Sequence, residues 1–342
     1  MTKSVEDEKI ERLALTIQKY LSGTPAILVG SGCSVPYGLP TMNDLGSEIV
    51  KQLDGVYHSE DSWKEFVKQL KSTQNLEKAL EVVAMKEEIH DAIIQVVWSC
   101  ISQKDKKAFL GFIKSGNYPI LTRVLKKCVQ SVASTSIITT NYDRLVEYSI
   151  DAAEGKCVSG FSGNYIKSFQ NFDSSTTKRV INLFKVHGSI DWFKHKANGN
   201  TIATDFSNVT EYCDCYFPMI VTPGNRKYRE THNDPFRTVI SEADRAIRKS
   251  TSYLCIGYGF NDEHIQPIIL DENRNKKKPI VIVTKDITQK MIELFHNISE
   301  CQSLILSENK GGGTLVYYSK TDIEMFTEPF WQLESFCKLW LG

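Results

Sequence analysis

Four apolar residues, Ala26 to Val29, run straight into Gly30-Ser31-Gly32. No other feature restricts the folds open to this chain as strongly. A short apolar run bounded by a glycine turn predicts a buried strand. Glycine permits the tight strand-to-helix reversal that opens a nucleotide-binding α/β unit. The same loop continues through Cys33 and Ser34 to Gly38-Leu39-Pro40. Taken alone the junction is a weak sign of a ligand, because a tight turn needs glycine with or without one.

Comparable runs recur at Ser136 to Thr140, Ile181 to Val186, Tyr216 to Thr222, Tyr253 to Tyr258 and Pro279 to Thr284. Several are continuous rather than alternating, as expected of parallel strands buried on both faces. Residues Asp234 to Ser250 read as a helix leading into the Tyr253 run. At the start, Ser4 and Asp7 form a capping box ahead of Ile10, Leu13, Ile17 and Leu21, which recur at helical spacing until Gly23 and Pro25. From Thr41 to about Ser134 the spacing is helical throughout, beginning with a second capping box, Thr41 with Asp44. The expected fold is therefore α/β: a Rossmann-like, doubly wound, mostly parallel sheet built from residues 1–40 and 135–342. An all-helical insertion at 41–134 suits a lid over a ligand. Thr321 to Gly342, with Phe326, Phe330, Leu333, Cys337 and Trp340, reads as a C-terminal helix, either packed on the domain or forming a subunit contact. Gly311 to Gly313 reads as a hairpin or loop.

Charge and composition narrow the function classes. The 342 residues carry 41 Lys plus Arg against 41 Asp plus Glu, a formal net charge of +0, which argues against direct nucleic-acid binding. The basic clusters at Lys276 to Lys278 and at Arg226, Lys227 and Arg229 are local. No stretch approaches the roughly 18 continuous apolar residues of a spanning helix, and the acidic start is unlike a signal peptide. No membrane association and a cytoplasmic location are expected. Nine cysteines at irregular spacing read as reduced thiols. The one close pair is Cys213 with Cys215, whereas a zinc site wants two such pairs, so no metal is expected.

The polar residues fall on one edge. Thr139-Thr140-Asn141-Tyr142-Asp143, His187-Gly188 and the loop Gly257 to Asp262 each stand at or just past the carboxyl end of a predicted strand, as does the first glycine loop. In an open α/β sheet the ligand crevice lies there. In these motifs the sequence resembles the sirtuin family, most closely the prokaryotic sirtuin-like proteins that hydrolyse NAD in antiphage defence. The family's GAGxS loop followed by GxP is matched by Gly30 to Ser34 and Gly38 to Pro40, and its TTNxD-type motif by Thr139 to Asp143. Its catalytic histidine with following glycine is matched by His187-Gly188, and a G-Y-S-F-x-D-like loop by Gly257 to Asp262. The likeness covers about residues 25 to 45 and 135 to 290. Two departures count against a protein deacylase. Only Cys213 and Cys215 stand where that branch carries a four-cysteine zinc ribbon, and Thr41-Met42-Asn43 replaces its acidic-aromatic-arginine run.

The resemblance implies NAD as substrate, nicotinamide and ADP-ribose as products, and antiviral defence of the abortive-infection kind by depletion of host NAD. The alternatives are an NAD-dependent protein deacylase and a catalytically silent sensor of NAD or ADP-ribose. An enzyme that destroys NAD needs restraint, so a homo-oligomer is expected, or a partner such as a ring-forming ATPase or a phage-sensing protein. The helical insertion and the aromatic tail are the expected contact surfaces. Within such a site the amides of Gly30, Ser31 and Gly32 and the Ser34 hydroxyl would cradle the pyrophosphate, with Pro40 and Thr140 beside the nucleotide. Asn141, with amide donor and acceptor, would hold water or a ribose hydroxyl. His187 would act as base, since an imidazole changes charge near neutral pH. Asp143 would orient the nicotinamide amide or sit near the developing cation. Gly257 and Asn261 would shape the ribose or adenine side, and Thr284 and Asp286 would meet the adenine half. Asn141 and Asp143 also suit helix capping. Cys33 reads as an inert side chain in the turn. His195, His232 and His264 read as surface or packing residues.

Overall fold

The structure is a computed structural model that describes residues 4–130, 134–172, 179–205, 215–222, 233–262, 264–296 and 302–342. Strand β1 (Pro25–Val29) lies in the interior of a nine-stranded sheet among these residues. On one side follow β2 (Thr135–Thr139), β6 (Val180–Lys185) and β3 (Lys156–Val158). On the other side follow β10 (Ser252–Ile256), β11 (Ile280–Val283) and β12 (Ser303–Glu308), all parallel to β1. The hairpin strands β13 (Thr314–Tyr317) and β14 (Ile323–Phe326) close that edge antiparallel. Successive strand residues face opposite sides of a sheet, and both sides here are apolar. Ile27 and Val29 enter a core shared with α1 (Val5–Tyr20), α6 (Leu121–Gln130), α7 (Leu145–Ala152) and α11 (Leu333–Leu341). Ala26 and Leu28 enter the opposite core, with α8 (Phe236–Lys249), α9 (Ile265–Asn275) and α10 (Gln289–His296). The fold is thus α/β with a large, mostly parallel sheet covered on both faces.

Both capping boxes form: the Ser4 and Thr41 hydroxyls accept the Asp7 and Asp44 amides, and each Asp reaches back to the cap. Thr41 opens a run of helices, α2 (Met42–Tyr57), α3 (Asp61–Thr73), α4 (Leu76–Val82) and the 29-residue α5 (Glu87–Ser115). Their apolar stripes build a separate core around Trp63, Phe66, Ile93 and Trp98, which also takes in Tyr142, Leu145, Ile190 and Phe193. Helix α6 instead joins the core of the large sheet, through Leu121, Val124 and Leu125.

A second, five-stranded antiparallel sheet runs in the order β4 (Phe161–Ser162), β5 (Lys167–Phe169), β8 (Thr201–Ala203), β7 (Gly188–His195) and β9 (Tyr216–Ile220). The Tyr216 run, expected among the parallel strands, is β9 and pairs antiparallel with β7. The aromatic tail also differs from expectation, because it splits into β14 and α11 rather than forming one helix. Phe326, Phe336 and Trp340 are buried in the core of their own chain, so this aromatic face is not available as a contact surface. Gly311 to Gly313 do turn the β12–β13 hairpin.

Candidate functional site

The strand order reverses at β1, with β2 on one side and β10 on the other, and at such a switch point the loops part to leave a crevice. A cavity of about 170 Å³ lies there. The loop after β1 contributes Gly30, Ser31, Ser34 and Pro40, and the loop after β2 contributes Thr140, Asn141 and Asp143. His187 enters from the end of β6, and Asn261 and Asp262 from the loop after β10. Met42 and Leu45 of α2, Glu77 of α4 and Ile101 of α5 complete the wall. Gly32, Gly257 and Thr284 do not border the cavity. The Thr284 hydroxyl donates to the Asp286 carbonyl at 3.1 Å and the Thr284 amide to Leu306, beside β11.

The first loop is held differently from expectation. The amides of Gly30 and Gly32 donate to the carbonyls of Ile256 and Gly257, at 3.0 and 3.1 Å. They are therefore not available to a phosphate. Of that trio, only Ser31 has an amide without a hydrogen bond among the described residues. The glycines are needed for loop-on-loop contact: a Cβ on Gly30 would strike the Gly257 carbonyl, and one on Gly32 would sit 2.8 Å from the Gly257 Cα. Gly257 itself has φ +57°, and a Cβ there would lie 2.5 Å from the Cys33 nitrogen. Gly257→Ala is expected to lower stability by about 1–3 kcal/mol, through backbone strain and overpacking. An unchanged urea midpoint would show that the two loops are not held in this contact.

Asn141 occupies the centre of the site. Its Nδ2 donates to the Gly30 carbonyl at 3.0 Å and to the Ser34 hydroxyl at 3.1 Å. Both amide hydrogens are thus committed, and what Asn141 offers the cavity is its carbonyl oxygen, an acceptor. Ser34, 2 % exposed, acts first as a partner of Asn141. Asp143 accepts the amide of Leu145, the first residue of α7, at 3.1 Å, while Asp143 also borders the cavity. Burial pushes the Asp143 carboxyl above its ordinary value, an effect opposed by the charge of Lys185. That lysine is 1 % exposed and lies beneath the loop. It donates to the Asp143 carbonyl at 2.5 Å and to Glu147 at 2.8 Å. One buried cation therefore ties the Asn141 loop to the strand that carries His187.

His187 has a partner that the sequence did not single out. Its Nε2 lies 2.8 Å from Asp262 Oδ2, with both side chains largely buried. The other oxygen of Asp262 accepts the His264 and Ile265 amides where α9 begins, so the carboxylate is fixed. With Nε2 turned to the carboxylate, Nδ1 is left as the basic nitrogen. In sequence Asp262 is only the last residue of the Gly257 to Asp262 motif.

A second group of polar contacts fastens α5 to these segments. Asp105, fully buried, accepts the Arg144 amide at 2.8 Å, the Arg144 guanidinium at 3.0 and 2.8 Å, and the Tyr148 hydroxyl at 2.6 Å. Two turns earlier, Trp98 Nε1 donates to the Ile190 carbonyl at 2.7 Å, and nearer the start of the helix His90 bonds the Thr222 hydroxyl at 3.0 Å. Ile101, between Trp98 and Asp105, borders the cavity. Asp105 and His90 do not stand out in sequence, where each is a single polar position on a helix.

Burial pushes the Cys33 thiol up to about 12, which keeps it protonated at neutral pH. His195 stacks edge-on against Tyr216, away from the cavity, and His264 stands at the start of α9. Cys213, His232 and the Arg226 cluster lie outside the described residues. Among the described residues no group of three His, Cys, Asp or Glu is placed to hold a metal ion, and no helix is long and apolar enough to cross a membrane.

Fold and site together define an α/β protein with a crevice of mixed polar and apolar lining at the switch point of a mostly parallel sheet. Residues 135–301 match the family model of the SIR2-like domain. No curated protein matches the chain. Among solved structures, one described as a Sir2 homolog–NAD complex is 14% identical, covers 89% of this chain and 90% of its own, and has a TM-score of 0.43. An ADP-ribose complex of a Sir2 homologue variant is 15% identical, with coverage of 82% and 87% and a TM-score of 0.43. A third, from work on the mechanism and regulation of Sir2 enzymes, is 14% identical, with coverage of 83% and 88% and a TM-score of 0.40.

Proposed function

We propose that the protein is an NAD glycohydrolase that cleaves the nicotinamide–ribose bond to give nicotinamide and ADP-ribose. The observation that carries this reading is the convergence of Asn141 and the His187–Asp262 pair on one cavity, beside the glycine loop at the switch point. The SIR2-like match over residues 135–301 spans Asn141, His187 and Asp262. In this reading residues 1–40 and 135–342 bind the dinucleotide, and the helices within 41–134 cover it.

Nicotinamide leaves a cationic pyridinium as a neutral base, so the reaction needs no strong acid. It needs a stabilised oxocarbenium-like ribose, an oriented nucleophile and a base. The Asn141 carbonyl oxygen accepts a hydrogen bond from water or a ribose hydroxyl and holds it in line. His187 Nδ1 takes the proton, and Asp262 stabilises the imidazolium that forms, as an orienting carboxylate does in other histidine-based sites. The buried Asp143 adds a carboxylate on the side where positive charge develops. Ser31, Ser34, Pro40, Thr140 and Asn261 line the path of the nucleotide; Gly30, Gly32 and Gly257 hold the loops together.

A cavity of about 170 Å³ falls below the roughly 300–1,000 Å³ of ordinary ligand pockets. A whole dinucleotide would extend beyond this cavity, and α2, α4 and α5, which wall it, are the segments whose outward movement would widen it. This supports an enzyme kept idle until a signal arrives, as depletion of host NAD in antiphage defence demands; self-assembly or a sensing partner acting on the helical segment would supply that signal. Incubation of the purified protein with NAD, with and without candidate partners, followed by chromatography, tests the activity. Equimolar nicotinamide and ADP-ribose without any peptide are expected once the signal is supplied. NAD consumed only when an acyl-lysine peptide is added would replace the reading with a deacylase. Tight ADP-ribose binding with NAD intact would replace it with a sensor.

A further inference from the structure

Tyr258, the second residue after β10, is 4 % exposed and borders the cavity. Its hydroxyl oxygen is buried and has no hydrogen-bond partner among the described residues. Buried hydroxyls are nearly always paired, because an unpaired one loses its bonds to water without replacement. Packing does not account for this hydroxyl. The ring meets Phe260 edge-on at 4.9 Å, and Phe260 meets Phe295 in the same way, contacts that a phenylalanine would make equally well. Nor is the side chain loosely placed. The Tyr258 backbone is wedged against the first loop, where a Cβ on Gly30 would come within 2.7 Å of the Tyr258 Cα.

The surroundings indicate what the hydroxyl is for. Burial, reinforced by the charges of Asp262 and Glu77, pushes its pKa well above the ordinary value, so it stays protonated and can donate. Asp262 is also the carboxylate that holds His187. Tyr258 borders the same cavity as His187 and Asp262; if the site cleaves NAD, the glycosidic bond is broken beside that pair, and the hydroxyl-bearing group there is the ribose. We propose that Tyr258 is a substrate-binding residue whose hydroxyl hydrogen-bonds a ribose hydroxyl of the bound nucleotide, a bond that no protein group replaces in its absence. This rests on the reading of the cavity as an NAD site.

Tyr258→Phe tests it with two opposed readouts. ADP-ribose carries the ribose but does not react, so its affinity can be measured by calorimetry whether or not NAD is cleaved. Loss of the bond should weaken ADP-ribose binding roughly five- to thirtyfold. The free variant should melt at the same temperature as the parent or higher, because an orphan hydroxyl has been removed from the interior. Nicotinamide alone should bind parent and variant equally. Unchanged ADP-ribose affinity would overturn the assignment, as would a clear fall in melting temperature, which would reveal a protein partner for the hydroxyl. Selective loss of nicotinamide binding would move the contact to the base and also overturn it. A parent protein that binds no ADP-ribose would instead remove the NAD reading itself.

Discussion

His187→Ala is expected to slow NAD hydrolysis by roughly a hundred- to ten-thousand-fold, the usual worth of a positioned acid–base group. The expectation rests on the pairing of Nε2 with Asp262 at 2.8 Å, which fixes the ring and leaves Nδ1 to take a proton. Asp262→Asn should reproduce a large part of the loss, because an amide can present its N–H to Nε2 and so turn the imidazole into the wrong tautomer. The check is turnover at saturating NAD, with circular dichroism to establish that both variants fold. A folded His187→Ala protein that consumes NAD at the parent rate would refute the role of the imidazole.

Asp105→Ala is expected to cost about 3–5 kcal/mol of stability, the range for breaking a buried ion pair from one side. The substitution leaves the Arg144 guanidinium, whose side chain is only 17% exposed, without its buried partner. It also strands the Arg144 amide and the Tyr148 hydroxyl, both of which bond Asp105. Surface ion pairs are worth far less, so the magnitude is diagnostic. Urea denaturation provides the measurement. A loss under about 1 kcal/mol would mean that water or Asp205, 3.1 Å from the same guanidinium, takes over from the missing carboxylate.

Much of the large sheet was legible because its strands are buried on both faces, which writes them as apolar runs such as Ala26 to Val29 and Ile280 to Val283. The capping boxes at Ser4 and Thr41 were legible because their bonds are local, three residues apart. The second sheet was not. Strands such as Phe161–Ser162 and Thr201–Ala203 are too short to show a period, and their pairing depends on partners far along the chain. The same limit governs the site. Asn141, Asp143 and His187 announce themselves by following strands. The match of Asp262 to His187, of Lys185 to Asp143 and of Asp105 to Arg144 exists only once strand order has brought distant segments together. The glycines show the converse error, since their small size serves the meeting of two loops and consumes amides that a phosphate would otherwise use.

Helix α5 is hydrogen-bonded to three separate segments, at Thr222, Ile190 and Arg144. From Trp98 to Asp105 is about 10 Å along its axis, and within that span it grips the segment after Asn141 and the one after His187. A rigid rod fastened at both places cannot slide or tilt without dragging the two in step. The segments after Asn141 and after His187 therefore stay in register with each other through the helix that both are bonded to.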